Sequence, residues 1–285
     1  MVKKVAVIND LSGLGKCSLT AAIPVLSVMG VQACPLPTAI LSNQTGYESY
    51  FYDDYTDHID AYAEEWKKRN LTIDGIYTGF LGSELQAEKI LNFINAFRRP
   101  ETLLLVDPVM GDGGQTYDIY TETFGKQMRK LVERADVITP NLTELCILTD
   151  TDYTALTAQK ASPDYLNIIA KTGKCLLDMG IGTVIVTGII YQSPSDATEK
   201  YYNLVMEKEQ VTSISSDIHG GSYSGTGDLL ASVVCAGMVR GDTATDSVRR
   251  AVSFLETALI ETAREQIPRN DGINFEPYLK LLLCR

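Results

Sequence analysis

Residues Gly225-Thr226-Gly227-Asp228 set a carboxylate directly behind a glycine-rich turn and ahead of an apolar run, Leu229 to Val239. Such a run after such a turn predicts a helix beginning near Thr226 or Gly227. The first N–H groups of a helix lack internal partners, and the positive end of the dipole lies behind them, which makes an anion site suited to phosphate. Gly225 and Gly227 carry no Cβ, so their backbone can take positive φ and approach a ligand closely. A carboxylate in an anion site repels the anion unless it has work there. The useful work is to accept the proton of a hydroxyl that attacks the phosphate. The plainer reading of Asp228, an acid complementing the dipole of a helix start, stays open on spacing alone.

Further candidates sit at strand ends. Asp107 closes the apolar stretch Thr102–Val106, and Asp112 follows five residues later in the loop Gly111–Gly114. The pair suggests a metal or a clamped polar ligand, or else turn acids that satisfy their own backbone. Asn141 and Glu144 stand at i and i+3 after Pro140. They could be a helix cap with a first-turn acid, or an amide and a carboxylate that hold hydrated Mg2+, an ion that prefers oxygen ligands. The segment Ser42–Tyr47 offers hydrogen-bonding side chains to a heteroatom-bearing ring, and reads equally well as an ordinary loop. Gly15-Lys16 imitates a Walker A loop but fails at two positions, with Asp10 where a glycine is required and Cys17 where Ser or Thr is required. What survives is a loop, Asn9–Lys16, at the carboxyl end of the first strand, where α/β folds place ligands.

These residues need a scaffold. Strands are expected at Val5–Asn9, Val31–Leu36, Ile73–Thr78, Thr102–Val106, Asp136–Ile138 and Thr183–Thr187, the last ending at Gly188. Helices are expected at Ser18–Met29, Ala61–Arg69, Glu84–Phe97 (capped by Ser83), Thr123–Glu133, Tyr165–Met179, Ala244–Glu265 and Phe275–Leu283. Lys200–Met206 and Gln210–Ser216 read as an antiparallel pair turning at Glu207–Glu209. Strand and helix alternate at intervals of about 25–35 residues through the first two thirds, which implies right-handed βαβ crossovers and a parallel sheet. No linker or composition shift divides residues 1–285, so one domain is expected.

Acidic residues outnumber basic ones, 36 to 25, for a net charge of −11, and no Lys/Arg-rich run appears. A nucleic-acid or anionic-membrane partner is therefore not expected. The six cysteines, Cys17, Cys34, Cys146, Cys175, Cys235 and Cys284, are scattered without a Cys-x-x-Cys pair. Buried thiols in a reducing cytoplasm fit better than a disulfide framework or a zinc site. The N-terminus reads as a first strand and not as a signal peptide.

The set of motifs resembles the vitamin kinase branch of the ribokinase superfamily, most closely its pyridoxal kinases, with hydroxymethylpyrimidine kinases as near relatives. The pieces that carry the resemblance are Ser42–Tyr47, Thr78–Ser83, Asp107–Asp112, Thr139–Glu144 and Ser224–Asp228, in family order along nearly the whole chain. The resemblance implies a ribokinase-like three-layer α/β sandwich, a central and mostly parallel sheet flanked by helices, without a separate β-lid, and a homodimer. It implies ATP and Mg2+ as cofactors, with a monovalent cation such as K+ as an addition. Asp228 would be the general base toward a hydroxymethyl group, and Gly225, Thr226 and Gly227 the anion hole. Asp107, Asp112, Asn141 and Glu144 would serve the phosphates and the metal, with Asp107 and Glu144 as metal ligands. Thr187 and Gly188 would meet the nucleotide; Asp10, Ser12, Thr45 and Phe80 would hold the vitamin ring, and Gly111–Tyr120 would cover the site. Asp10, Gln44 and Phe80 depart from the serine, histidine and tyrosine that pyridoxal kinases often carry there, so Asp10 could favour an amine or a protonated ring nitrogen. The alternatives are a hydroxymethylpyrimidine kinase of thiamin synthesis and a non-catalytic sensor that binds nucleotide or vitamin.

Overall fold

The structure is a computed structural model that describes residues 1–283. In chain order its elements are β1 (Lys3–Ser12), α1 (Ser18–Val28), β2 (Val31–Leu41), β3 (Tyr52–Asp54), α2 (Ile59–Lys68), β4 (Gly75–Thr78), α3 (Glu84–Phe97), β5 (Leu103–Val106), β6 (Gly111–Asp112), β7 (Gln115–Thr116), α4 (Glu122–Val132), β8 (Val137–Ile138), α5 (Leu142–Leu148), α6 (Tyr153–Thr157), α7 (Tyr165–Asp178), β9 (Thr183–Tyr191), β10 (Lys200–Glu207), β11 (Gln210–Asp217), α8 (Thr226–Arg240) and α9 (Ala244–Arg264). The chain divides into two compact units, Met1–Leu105 with His219 onward, and Val106–Ile218.

In the first unit the strand order is β5-β4-β1-β2-β3. β1 pairs in parallel with β2 on one side and β4 on the other. Val5 to Asn9 have no exposed surface, as expected of a strand covered by helices on both faces. The crossover helices form where the sequence places them. α3 is capped by Ser83, whose hydroxyl accepts from the Gln86 amide at 3.2 Å. β2 runs past its expected end to Leu41 in spite of Pro35 and Pro37. β1 stays paired with β2 opposite both prolines, and β3 joins only from Ala39 onward, so at the prolines β2 is still the edge of the sheet, where proline is tolerated.

In the second unit the order is β8-β9-β10-β11, parallel between β8 and β9 and antiparallel thereafter. β6 and β7 form a small separate hairpin. β9 continues through Gly188 instead of ending there, because a bulge sets Thr187 and Gly188 of β9 against Asn203 alone on β10 and pairing resumes at Ile189. Gly188 takes φ 66°, and its amide donates to the Asn203 side chain at 3.3 Å.

Two expectations need correction. The final segment is a 3-10 helix, Glu276–Leu282, and not an α-helix. Among the described cysteines Cys17, Cys146 and Cys235 are buried and unpaired as expected, but Cys34 is half-buried and Cys175 exposed; Cys284 lies outside the described residues. Among the described residues no helix is long and apolar enough to cross a membrane.

Candidate active site

Two groups of expected residues are assembled, one in each unit. In the first unit the sharp turn ahead of α8 depends on Gly225, which takes φ 80°. A Cβ there would lie 1.9 Å from the Lys16 carbonyl oxygen, so the α8 start and the β1–α1 loop are in backbone contact. A Cβ on Gly227 would meet nothing within 4 Å, so the first turn of the helix faces open space. Among the described residues no side chain caps α8, and its first amides remain available to an anion. The Thr226 hydroxyl donates to the Tyr223 carbonyl at 3.2 Å, which pins the turn.

Asp228 sits in the first turn of α8. Its Oδ1 accepts from Asn9 Nδ2 at 3.1 Å, and the Ser18 amide bonds the same carboxylate. Although part of the residue's surface is accessible, the carboxylate is enclosed by protein, and that enclosure pushes its pKa up to about 6. The Asp10 charge pushes the same way, while the bonds from Ser18 and Asn9 oppose it. Asp228 thus titrates close to neutrality, where a base can both hold and release a proton.

Asp10 and Ser12 lie beside it on β1, both buried. Asp10 Oδ1 accepts from the Ser18 hydroxyl at 2.6 Å and Oδ2 from the Ser12 hydroxyl at 2.8 Å. Burial raises the Asp10 pKa against these bonds. Phe80 is held through its backbone, its amide donating to Asn9 Oδ1 at 2.9 Å and its carbonyl accepting from the Thr38 hydroxyl at 2.9 Å. Thr45 is exposed. Its neighbours fix the loop instead: Gln44 Nε2 donates to the Asn270 carbonyl at 3.1 Å, and the Tyr47 hydroxyl to Asp271 at 2.5 Å.

In the second unit Asn141 and Glu144 both face the β6–β7 hairpin. Asn141 caps α5 and its Nδ2 donates to the Gly111 carbonyl at 2.8 Å. Glu144 is buried; its Oε1 accepts from the Met110 amide at 3.1 Å and its Oε2 from the Asn141 amide at 2.9 Å. Burial first, and then the charge of Asp107, raise its pKa well above the ordinary carboxylate range. Asp107 Oδ1 accepts from the Thr139 hydroxyl at 2.9 Å. Thr187 forms a bridge to Asn141, and its amide donates to the Pro140 carbonyl at 2.9 Å. Asp112 is exposed and accepts from the Gly113 amide at 2.8 Å, the bond of a turn acid. A buried Glu144 carboxyl with the Asp107 charge near it, offering only oxygen, fits a hard divalent cation such as Mg2+. A cleft of about 290 Å³ in this unit is lined by Gly114, Thr116 and Tyr120 of the expected covering segment, with Arg129, Thr143 and Tyr153, and by none of the expected catalytic, nucleotide or metal residues.

Motif spacing does not single out Asn9 or Ser18. Asn9 has a signal, since a polar Asn-Asp pair closes an apolar strand. Ser18 has none, because nothing in its type announces the φ of 52° it adopts.

Residues 15–272 match the model of the phosphomethylpyrimidine kinase family. A Bacteroides thetaiotaomicron protein named as a candidate phosphomethylpyrimidine kinase is 36% identical with a TM-score of 0.91, over 100% of this chain and 95% of its own. A second crystal form of that protein, with pyridoxal, gives 37% identity and a TM-score of 0.87, over 99% and 96% of the two chains. The pyridoxal kinase of Lactobacillus plantarum is 28% identical with a TM-score of 0.85, over 99% and 97% of the two chains. The pyridoxal kinase of Aliivibrio fischeri is 23% identical over 273 residues, 92% of this chain and 90% of that one.

Proposed function

The chain belongs to the phosphomethylpyrimidine kinase family, and on that premise we propose that it moves the γ-phosphoryl group of ATP onto the hydroxymethyl group of a B6 vitamer, with Asp228 as the general base. It is a phosphotransferase with an alcohol acceptor, on an α/β fold whose central sheet is mostly parallel. The observation that carries the assignment of the base is the enclosed Asp228 carboxylate, poised at a pKa of about 6 in the open first turn of α8. The pyridoxal held by the 37% identical Bacteroides protein supports the vitamer.

In the reaction Asp228 takes the proton of the acceptor hydroxyl as that oxygen bonds to the γ-phosphorus. The bond from the γ-phosphorus to the bridging oxygen breaks, and ADP leaves with the electron pair. The amides from Gly225 to Gly227 stabilise the charge on the phosphoryl oxygens in passage. Asp107 and Glu144 would hold Mg2+, which when bound neutralises charge on the nucleotide phosphates. Asn141, Thr187 and Gly188 are assigned to the nucleotide side, with Asp112 as a contributor that can swing from its turn. Ser12, Thr45 and Phe80 are assigned to the acceptor ring, while Asp10, expected beside them, has its two carboxylate oxygens engaged by Ser18 and Ser12. The reading takes residues 1–285 as one kinase domain that works in the cytoplasm as a homodimer.

The family model is named for a pyrimidine substrate, which supports a second reading, a hydroxymethylpyrimidine or phosphomethylpyrimidine kinase. ADP release with Mg-ATP against pyridoxal, pyridoxine, pyridoxamine and hydroxymethylpyrimidine, beside Asp228→Asn, decides between them. Turnover of a B6 vitamer that falls by about 10²–10⁴ in the variant is expected. Preference for the pyrimidine would move the protein to the second reading with its mechanism intact. Silence on all four acceptors, with nucleotide still bound, would leave a sensor.

A further inference from the structure

Proton transfer to Asp228 makes no direct use of Asn9, Asp10 or Ser18, yet all three are fixed around it. Asn9 has no exposed surface. Its Oδ1 accepts from the amides of Asp10 and Phe80 at 3.0 and 2.9 Å. Backbone amides only donate, so these bonds settle which end of the side chain is oxygen and leave Nδ2 as the donor to Asp228. Gly79 closes the remaining space, since a Cβ there would lie 2.4 Å from Asn9 Nδ2.

Ser18 begins α1 at φ 52°, a conformation that is unfavourable for any residue but glycine. It persists only where the surroundings over-determine it. In this conformation its amide bonds Asp228 and its hydroxyl donates to Asp10 Oδ1 at 2.6 Å. The other Asp10 oxygen takes the Ser12 hydroxyl. Both oxygens of Asp10 are therefore occupied by the chain's own hydroxyl groups.

We propose that Asn9, Asp10 and Ser18 are positioning residues for the Asp228 base: the Asn9 side chain and the Ser18 amide grip its carboxylate, and Asp10 acts through Ser18 by holding its hydroxyl. The inference rests on Asp228 being the base. It gives Asp10 a different task from reading an amine on the acceptor. The titratable groups facing Asp228 are Asp10 on β1 and the Cys17 thiol ahead of α1. Burial lifts that thiol to about 12, so it stays neutral, and Asp10 is the charge that opposes ionisation of the base.

Asp10→Asn removes this charge while keeping an oxygen for Ser18 and a donor for Ser12. The acid limb of kcat/KM, measured against wild type on the same vitamer, should move to lower pH, and the pyridoxal-to-pyridoxamine ratio should hold within about twofold, a change too small to report a lost contact. Asn9→Ala should lower kcat roughly 10–100-fold with little change in KM, the scale of a misplaced catalytic group. Ser18→Gly, which relaxes the backbone and so keeps the fold, should lower kcat while Tm holds or rises. An unmoved acid limb with a changed vitamer ratio in Asp10→Asn would show a substrate contact and overturn the proposal. Wild-type kcat in both Asn9→Ala and Ser18→Gly would overturn it as well. Asp228→Asn run alongside separates the two levels, since turnover surviving in that variant would remove the base itself and this inference with it.

Discussion

Asn141 and Glu144 cap one another. Asn141 Oδ1 accepts from the Glu144 amide at 3.0 Å, and Glu144 Oε2 accepts from the Asn141 amide at 2.9 Å. The two readings of this pair as a helix start and as a phosphate or metal site are therefore not exclusive. The same side chains that start α5 reach the hairpin through Met110 and Gly111, so any group that draws on Glu144 also acts on the segment that would cover the site.

Glu144→Ala should strip an acceptor from the backbone amides of Asn141, Met110 and Gly111, at about 1–3 kcal/mol for each amide left unpaired. Glu144→Gln keeps one acceptor and removes a buried charge, so it should unfold at a higher temperature than Glu144→Ala. The sign with pH follows from the raised pKa. Such a group contributes stability below its unfolded pKa of about 4.3 that is lost as pH rises through the folded value. Glu144→Gln should accordingly gain on wild type as pH rises above the ordinary carboxylate range. Thermal unfolding checks both, and a Glu144→Ala protein as stable as wild type would show that the cap holds nothing.

If Asp107 and Glu144 hold the metal as proposed, Mg2+ should raise Tm in the presence of ADP, because a cation offsets the Asp107 charge that acts on Glu144. Stabilisation by a ligand grows as RT ln(1 + [L]/Kd), about 1.4 kcal/mol for each tenfold excess. Asp107→Asn should reduce the increment without changing the ADP contribution measured in a chelator. An increment equal to wild type in that variant would take Asp107 out of the metal site.

Gly225 and Gly227 should respond oppositely to alanine. At 225 the new methyl meets the Lys16 carbonyl in a backbone already at positive φ, so Gly225→Ala should destabilise the fold or prevent it. At 227 the methyl enters open space. Gly227→Ala should therefore keep or slightly raise Tm, as alanine does in a helix, while kcat falls because the methyl stands where the phosphoryl group must pass. Melting curves beside ADP release separate the two positions. A Gly227→Ala enzyme with full kcat would deny the α8 turn its role.

What the sequence discloses follows the range of the interactions concerned. The Ser83 and Asn141 caps, the helix start at Thr226 and the parallel β1–β2 crossover rest on local chemistry, and each stands where its residues place it. Pro37 reads as a breaker after Leu36, and only the partner strands reveal that β2 is still an edge at its prolines, with β3 joining from Ala39. The same holds at Gly188, where a bulge on β9 itself lets pairing with β10 resume at Ile189. In the site, the glycine turn and the Asp228 carboxylate are legible as a pattern. The grip of Asn9 on Asp228 joins residues 219 positions apart, and the left-handed Ser18 depends on partners on two other segments. Neither long-range partner nor strained backbone has a signature in composition or spacing.

Asp228 itself offers the sharpest coupling of stability to chemistry. Its pKa stands near 6 when folded against 3.8 as the ordinary value. A raised pKa in the folded state means that the native protein holds a proton the unfolded chain has released, so stability falls as pH climbs between the two values. The loss is complete above the folded pKa and is bounded at about 3 kcal/mol, since each pH unit separating the two values corresponds to about 1.4 kcal/mol. Asp228→Asn carries no such charge. Its Tm relative to wild type should increase as pH rises from about 4 to 7 and level off above, while its kcat stays low throughout. The comparison within one pH series cancels whatever the amide changes in the bonds to Asn9 and Ser18. A Tm difference that ignores pH across that window would show that Asp228 ionises as freely as a surface carboxylate, and a base poised near neutrality would have to be sought elsewhere.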